Sequence, residues 1–227
     1  MDGRVTRRRS FALLAGAATL LFAGEAMAGG ARKVPDLRQD PGGRSRSRAA
    51  TLLVPLTVHL AATEERPVAT IFRLQRAIER ANQALDAYGI RVELRQLLRM
   101  PEGFGSITRR RDRRRIAQYA EPNGSVHVFM VDTLELRGGR RGDRSVRGLH
   151  WRYRGVLRRL RRHEYVIVSG DAPTTTLVHE LGHFFGLSHS DSEENLMCSC
   201  RRGPRQIFTP KQGETIRRGA REFLRGA

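Results

Sequence analysis

Residues 179 to 189 read His-Glu-Leu-Gly-His-Phe-Phe-Gly-Leu-Ser-His, and this string constrains the fold more than any other part of the chain. On an α-helix His179 and His183 lie one turn apart on the same face, so both imidazoles can converge on one metal ion. Glu180 follows the first histidine directly, which sets its carboxylate beside that ion as a base rather than as a ligand. Gly186 has no Cβ and can take the positive φ that ends a helix and turns the chain back. The turn then brings His189 round as a third imidazole. Three protein ligands suit a tetrahedral zinc ion with one open position, the arrangement that separates a catalytic zinc from a structural one. A single histidine would read as an ordinary core or surface residue. Five residues at these offsets arise by chance in on the order of one chain in ten thousand, which favours a real site.

The same string resembles the signature of the metzincin zinc peptidases. With Gly182, Leu187 and Ser190 in these places it is most similar to the matrixin branch. Metzincins carry a methionine turn beneath the metal, and Asn195-Leu196-Met197 falls at the matrixin spacing, with Met197 eight residues after His189. By itself Met197 would be core filling, since methionine adapts to irregular gaps. Where matrixins continue with an aromatic residue and a proline that wall the specificity pocket, this chain has Cys198-Ser199-Cys200. Val34-Pro35-Asp36 resembles the tail of the matrixin latency motif without its cysteine, and His127, His150, His163, Asp132 and Asp143 lack the spacing of the matrixin structural zinc and calcium sites. Close similarity covers residues 165 to 197. The resemblance implies an α+β metzincin-like zincin, with a mixed twisted β-sheet, an active-site helix and a C-terminal helix.

Residue periodicity is consistent with that order of elements. Thr51 to Leu60 reads as a strand with an edge or bulge near Pro55. Ile71, Leu74, Ile78, Ala81 and Leu85 follow a helical spacing that stops before Gly89, and Ile90, Val92 and Leu94 alternate as a second strand. Val126 to Val131 is a third apolar run, Leu149 to Val156 a further candidate strand, and Tyr165 to Val168 a strand leading into the zinc helix, which Asp171 or Thr174 could cap. Thr209-Pro210-Lys211-Gln212 is a capping box with proline at the first helical position, followed by Ile216, Ala220, Phe223 and Leu224 on one face.

The first residues point to export. Arg7-Arg8-Arg9 precedes an apolar run from Phe11 to Ala23, shorter than the about 20 residues of a membrane span, and Ala26-Met27-Ala28 offers a cleavage site. Residues 1–28 therefore read as a signal peptide, residues 29–50 as a flexible leader or short propeptide, and residues 51–227 as the catalytic domain. Arg8-Arg9-Ser10-Phe11 resembles a bacterial twin-arginine signal; an ordinary Sec signal with a basic front end is the alternative.

The net charge of +19 is nearly all arginine, since lysine occurs only at Lys33 and Lys211. It clusters at 109–115, 137–147 and 158–162, each expected to lie between elements. Such loops would attract anionic cell-envelope material, with nucleic acid disfavoured for an exported chain without stacking motifs. Cys198 and Cys200 are the only cysteines, too close for an ordinary stabilising bridge, and read as packing or a thiol pair.

The expectation is a periplasmic or extracellular zinc endopeptidase acting on protein or peptide. His179, His183 and His189 would hold Zn²⁺, Glu180 would be the general base, and Met197 would form the turn below. The alternative is a non-catalytic zinc-containing module that binds anionic polymer or nucleic acid through its arginine-rich loops; Glu180, which such a module does not need, argues against it.

Overall fold

The computed structural model describes residues 50–61, 71–136, 144–152, 163–200 and 206–226. The expected signal peptide, the leader up to residue 49, the arginines at 137–143 and 158–162, Asp143 and the continuation of the candidate strand to Val156 lie outside the described residues.

β1 (Leu52–Leu60) is followed by α1 (Ile71–Leu85), a 3₁₀ turn at Asp86–Tyr88, and β2 (Ile90–Arg99). Gly89 closes that turn with φ 61°, in the left-handed region. Along α1 the buried residues are Leu74, Ala77, Ala81 and Leu85, whereas Ile71 is 58% exposed, so the apolar stripe begins at Leu74. β3 (Ser106–Ile107) and α2 (Arg110–Ala117) precede β4 (Val126–Val131), β5 (Thr133–Leu136), β6 (Arg144–Ser145) and β7 (Gly148–Arg152). β8 (Glu164–Ser169), α3 (Thr175–Phe184) and α4 (Pro210–Gly226) complete the described elements.

Five strands form one sheet in the order β2-β1-β4-β8-β7. The first four are mutually parallel, which requires long crossovers such as α1, and β7 runs antiparallel along the β8 edge. Because both faces are covered, β4 is buried at every position, as a near-continuous apolar run in a parallel sheet should be. One face, with Val54, Leu56, Val58 and Val128, packs against α1, α3 and α4. The other, with Phe129, Tyr165 and Ile167, packs against Ile116 and Ala117 of α2 and the loops around it.

Of the two alternatives expected near Pro55, the bulge holds and the edge does not: β1 is an interior strand whose register towards β2 shifts between Leu56 and Thr57, and Pro55 is accommodated because pairing with β4 begins only at Leu56. Two other expectations change. The arginine run at 109–115 forms a helix instead of a loop. Arginine is a good helix former, Asp112 accepts hydrogen bonds from the Arg109 and Thr108 N–H groups at 2.8 and 3.2 Å, and Ile116 and Ala117 anchor one side. Neither expected cap of α3 acts through its side chain. Asp171 accepts from Ser169 Oγ at 2.6 Å, and Thr174 stands at the N-cap without a side-chain bond.

The capping box at α4 is present, with Thr209 N–H donating to Gln212 Oε1 at 2.9 Å and Gln212 N–H to Thr209 Oγ1 at 3.3 Å. No helix among the described residues is long and apolar enough to cross a membrane.

Candidate metal centre and cleft

α3 buries Leu177, Val178 and Leu181 against the sheet and presents His179 and His183 on its other side. It ends in a paired hydrogen-bond motif: Gly186 N–H donates to His183 O at 3.0 Å and Leu187 N–H to Gly182 O at 2.9 Å. That geometry needs a left-handed residue, and Gly186 supplies it with φ 99°. The chain reverses there, and His189 returns to the helix.

The ligand atoms of His179, His183 and His189 all lie within 4.8 Å of one another, a group that could hold a metal ion. His183 Nε2 and His189 Nε2 are 3.1 Å apart. Two bonds of about 2.0–2.1 Å at a tetrahedral angle separate their nitrogens by ~3.3 Å, so the spacing fits two ligands of one zinc ion. Two of the three outer nitrogens have backbone partners. His179 Nδ1 donates to Leu196 O at 2.6 Å and His183 Nδ1 to Leu187 O at 2.8 Å. A proton held on Nδ1 makes Nε2 the lone-pair donor and fixes each ring plane. Burial holds His183 below the ordinary histidine range, against the hydrogen bond to Leu187, which raises it.

Met197 is fully buried beneath the group. Its N–H donates to Asn195 Oδ1 at 2.9 Å, and its carbonyl accepts Ser190 N–H at 2.9 Å, which ties the turn to the residue after His189. Asn195 is in turn paired with Gln212, Nδ2 donating to Gln212 Oε1 at 2.8 Å and Gln212 Nε2 to Asn195 Oδ1 at 3.2 Å. Thus the capping side chain of α4 also braces the methionine turn. Past the turn, Cys198 and Cys200 form a disulfide where a thiol pair was expected. The bend brings their Cα atoms to 5.2 Å, inside the span a bridge covers.

Glu180 is 5% exposed and lines the same cleft, of about 720 Å³, as the three histidines, His150, Leu196 and Cys198. Burial pushes its carboxyl up to about 8, opposed by a hydrogen bond from the His150 backbone N–H. A cation on the three histidines would offset that burial.

Of the histidines that showed no metal-site spacing, none joins a second cluster of ligands among the described residues. His127 Nε2 donates to Glu121 O at 2.8 Å and its Nδ1 lies 2.9 Å from His59 Nε2, an internal pair under the far face of the sheet. His163 Nδ1 donates to Ala117 O. His150, on β7, meets Glu164 Oε1 at 2.6 Å, and Arg152 meets Glu164 Oε2 at 2.7 Å. Sequence reading left His150 and Glu164 without a role, because only the β7–β8 pairing brings them together.

No protein-family model and no curated protein matches this sequence. Solved structures do. Mature mirolysin of Tannerella forsythia, in complex with a cleaved peptide, superposes with TM-score 0.56 at 12% identity, covering 78% of this chain and 96% of that one. A promirolysin mutant from the same organism gives TM-score 0.57 at 11% identity, with 78% and 84% covered. Metalloproteinase-II of Bacteroides fragilis gives TM-score 0.53 at 13% identity over 76% of this chain, which spans only 55% of its length. At such identities the likeness is one of fold. The chain has a metzincin-like fold, with a mostly parallel five-stranded sheet above the histidine helix.

Proposed function

We propose that this protein is a zinc-dependent endopeptidase. The observation that carries the reading is the convergence of His179, His183 and His189 beside the buried carboxylate of Glu180 on the wall of one cleft. Three imidazoles, two of them oriented through Nδ1 by backbone carbonyls, are a donor set that suits zinc. A zinc ion held there supplies Lewis acidity, which polarises a carbonyl and makes water a nucleophile near neutral pH.

The protein's own residues do the rest. Glu180 takes a proton at its carboxylate from the attacking water and passes it to the leaving amine. The cleft runs along β7, an edge strand beside which an extended peptide can lie. That similar folds include a metalloproteinase and a mirolysin in complex with a cleaved peptide supports peptide as the substrate class. Gly182, Leu187, Ser190 and the position of Met197 support a matrixin-like enzyme, whereas the Cys198–Cys200 bridge gives the cleft a wall of its own. Arg8-Arg9-Ser10-Phe11 and Ala26-Met27-Ala28 support export to the periplasm or beyond.

The test uses protein lacking residues 1–28, loaded with zinc and offered an unbiased peptide library. Cleavage should vanish with a chelator and return with zinc. Glu180→Ala should keep zinc and lose about 10²–10⁴-fold in turnover. Equal turnover by Glu180→Ala, or no zinc-dependent cleavage by a fully loaded protein, overturns the proposal.

A further inference from the structure

Gly148 opens β7 directly over the carboxylate of the zinc helix. A Cβ at this position would stand 2.8 Å from Glu180 Cγ and 2.6 Å from Thr176 Cγ2, and closer still to Glu180 Oε1. Two residues further on, the His150 backbone N–H donates to the same carboxylate. The strand cannot retreat to make room. Gly148 is paired with Val168, and Ser169 N–H donates to Arg147 O at 2.9 Å. At the other end Glu164 grips both His150 and Arg152. A glycine in a strand often marks close approach by another group, and here that group is the proposed base.

We propose that Gly148 and the His150 N–H form a seat for the Glu180 carboxylate, which makes Gly148 a positioning residue for proton transfer. The inference rests on the peptidase reading. Its physical content is that the absence of a side chain at 148 and one backbone donor at 150 fix the carboxylate on the cleft wall, so that its orientation is set before substrate arrives. An error of about 1 Å in such a group costs on the order of a hundredfold in rate.

The experiment combines size exchange with a resonance measurement. Gly148→Ala should keep stoichiometric zinc, lower kcat at least about tenfold and leave KM within about twofold. In the Glu180→Asp background, whose shorter side chain vacates the space, the same Gly148→Ala change should cost less than about twofold. In metal-free protein, Glu180→Ala should move the His150 amide proton upfield by several tenths of a ppm, because its hydrogen-bond acceptor is gone.

A Gly148→Ala protein with wild-type kcat overturns the seat, as does an equal loss in both backgrounds. Relief by Thr176→Ser but not by Glu180→Asp overturns it too, since the clash would then lie with Thr176. An unmoved His150 amide removes the donor. Wild type and Glu180→Ala are assayed in the same series, so a zinc-loaded wild type that cleaves nothing identifies failure of the peptidase reading rather than of the seat.

Discussion

Met197 Sδ occupies the place that a Cβ on residue 182 would take: the two positions are 2.5 Å apart. Gly182 lies inside α3, where glycine costs about 1 kcal/mol relative to alanine. The close packing of the methionine beneath the helix therefore overrides helix propensity. Met197 is fully buried, so Gly182→Ala should lose more from overpacking, about 1–3 kcal/mol, than it gains from the helix. Urea unfolding of the metal-free protein gives the net sign. A variant more stable than wild type would show that the sulfur yields easily.

His189 is the one proposed ligand outside α3, and it depends on the reversal at Gly186. His189→Ala should weaken zinc binding by more than about a hundredfold, judged by competition with a chromogenic chelator. His150→Ala serves as the contrast, because His150 lines the cleft without belonging to the ligand group, and its zinc affinity should fall by less than about tenfold. Equal losses in the two variants would remove the distinction.

The His59–His127 pair makes the fold acid-sensitive. Burial, and then the neighbouring His127, lower His59 from the ordinary 6.5 to about 4. A depressed histidine contributes stability that is complete above pH 6.5 and is lost as the pH falls towards 4, because the unfolded chain takes up the proton first. The loss over that window should be on the order of 3 kcal/mol. His59→Asn should flatten the dependence between pH 6.5 and 4 in thermal melts. A slope identical to wild type would assign acid sensitivity elsewhere.

Asn195 and Gln212 form the link between the methionine turn and the start of α4. Replacing either with alanine should cost about 1–3 kcal/mol, since each leaves a partly buried polar partner unpaired. The double variant should cost much less than the sum, a coupling that a double-mutant cycle measures. Strict additivity would mean that the two ends are braced independently.

The candidate centre was readable as a pattern because helix geometry relates His179, Glu180 and His183; His189 needed the turn at Gly186, and Met197 came only from the family resemblance. The strands β1, β2, β4 and β8 and the helices α1 and α4 were legible from period and capping. α2 was not: charge fills nearly all its positions, and only Ile116 and Ala117 are buried. Its start depends on Asp112, a signal that arginines on both sides obscure. The relation of Gly148 to Glu180 and of His150 to Glu164 depends on strand register, which no spacing encodes. The disulfide followed from a local bend that the pattern Cys-Ser-Cys does not specify.

Gln212 lies after every proposed ligand in the chain, yet its side chain braces the floor on which they rest. During synthesis the histidine helix emerges well before the residue that steadies it. A nascent chain therefore holds the three proposed ligands before it holds the brace beneath them, and that support is assembled only once Gln212 has been added.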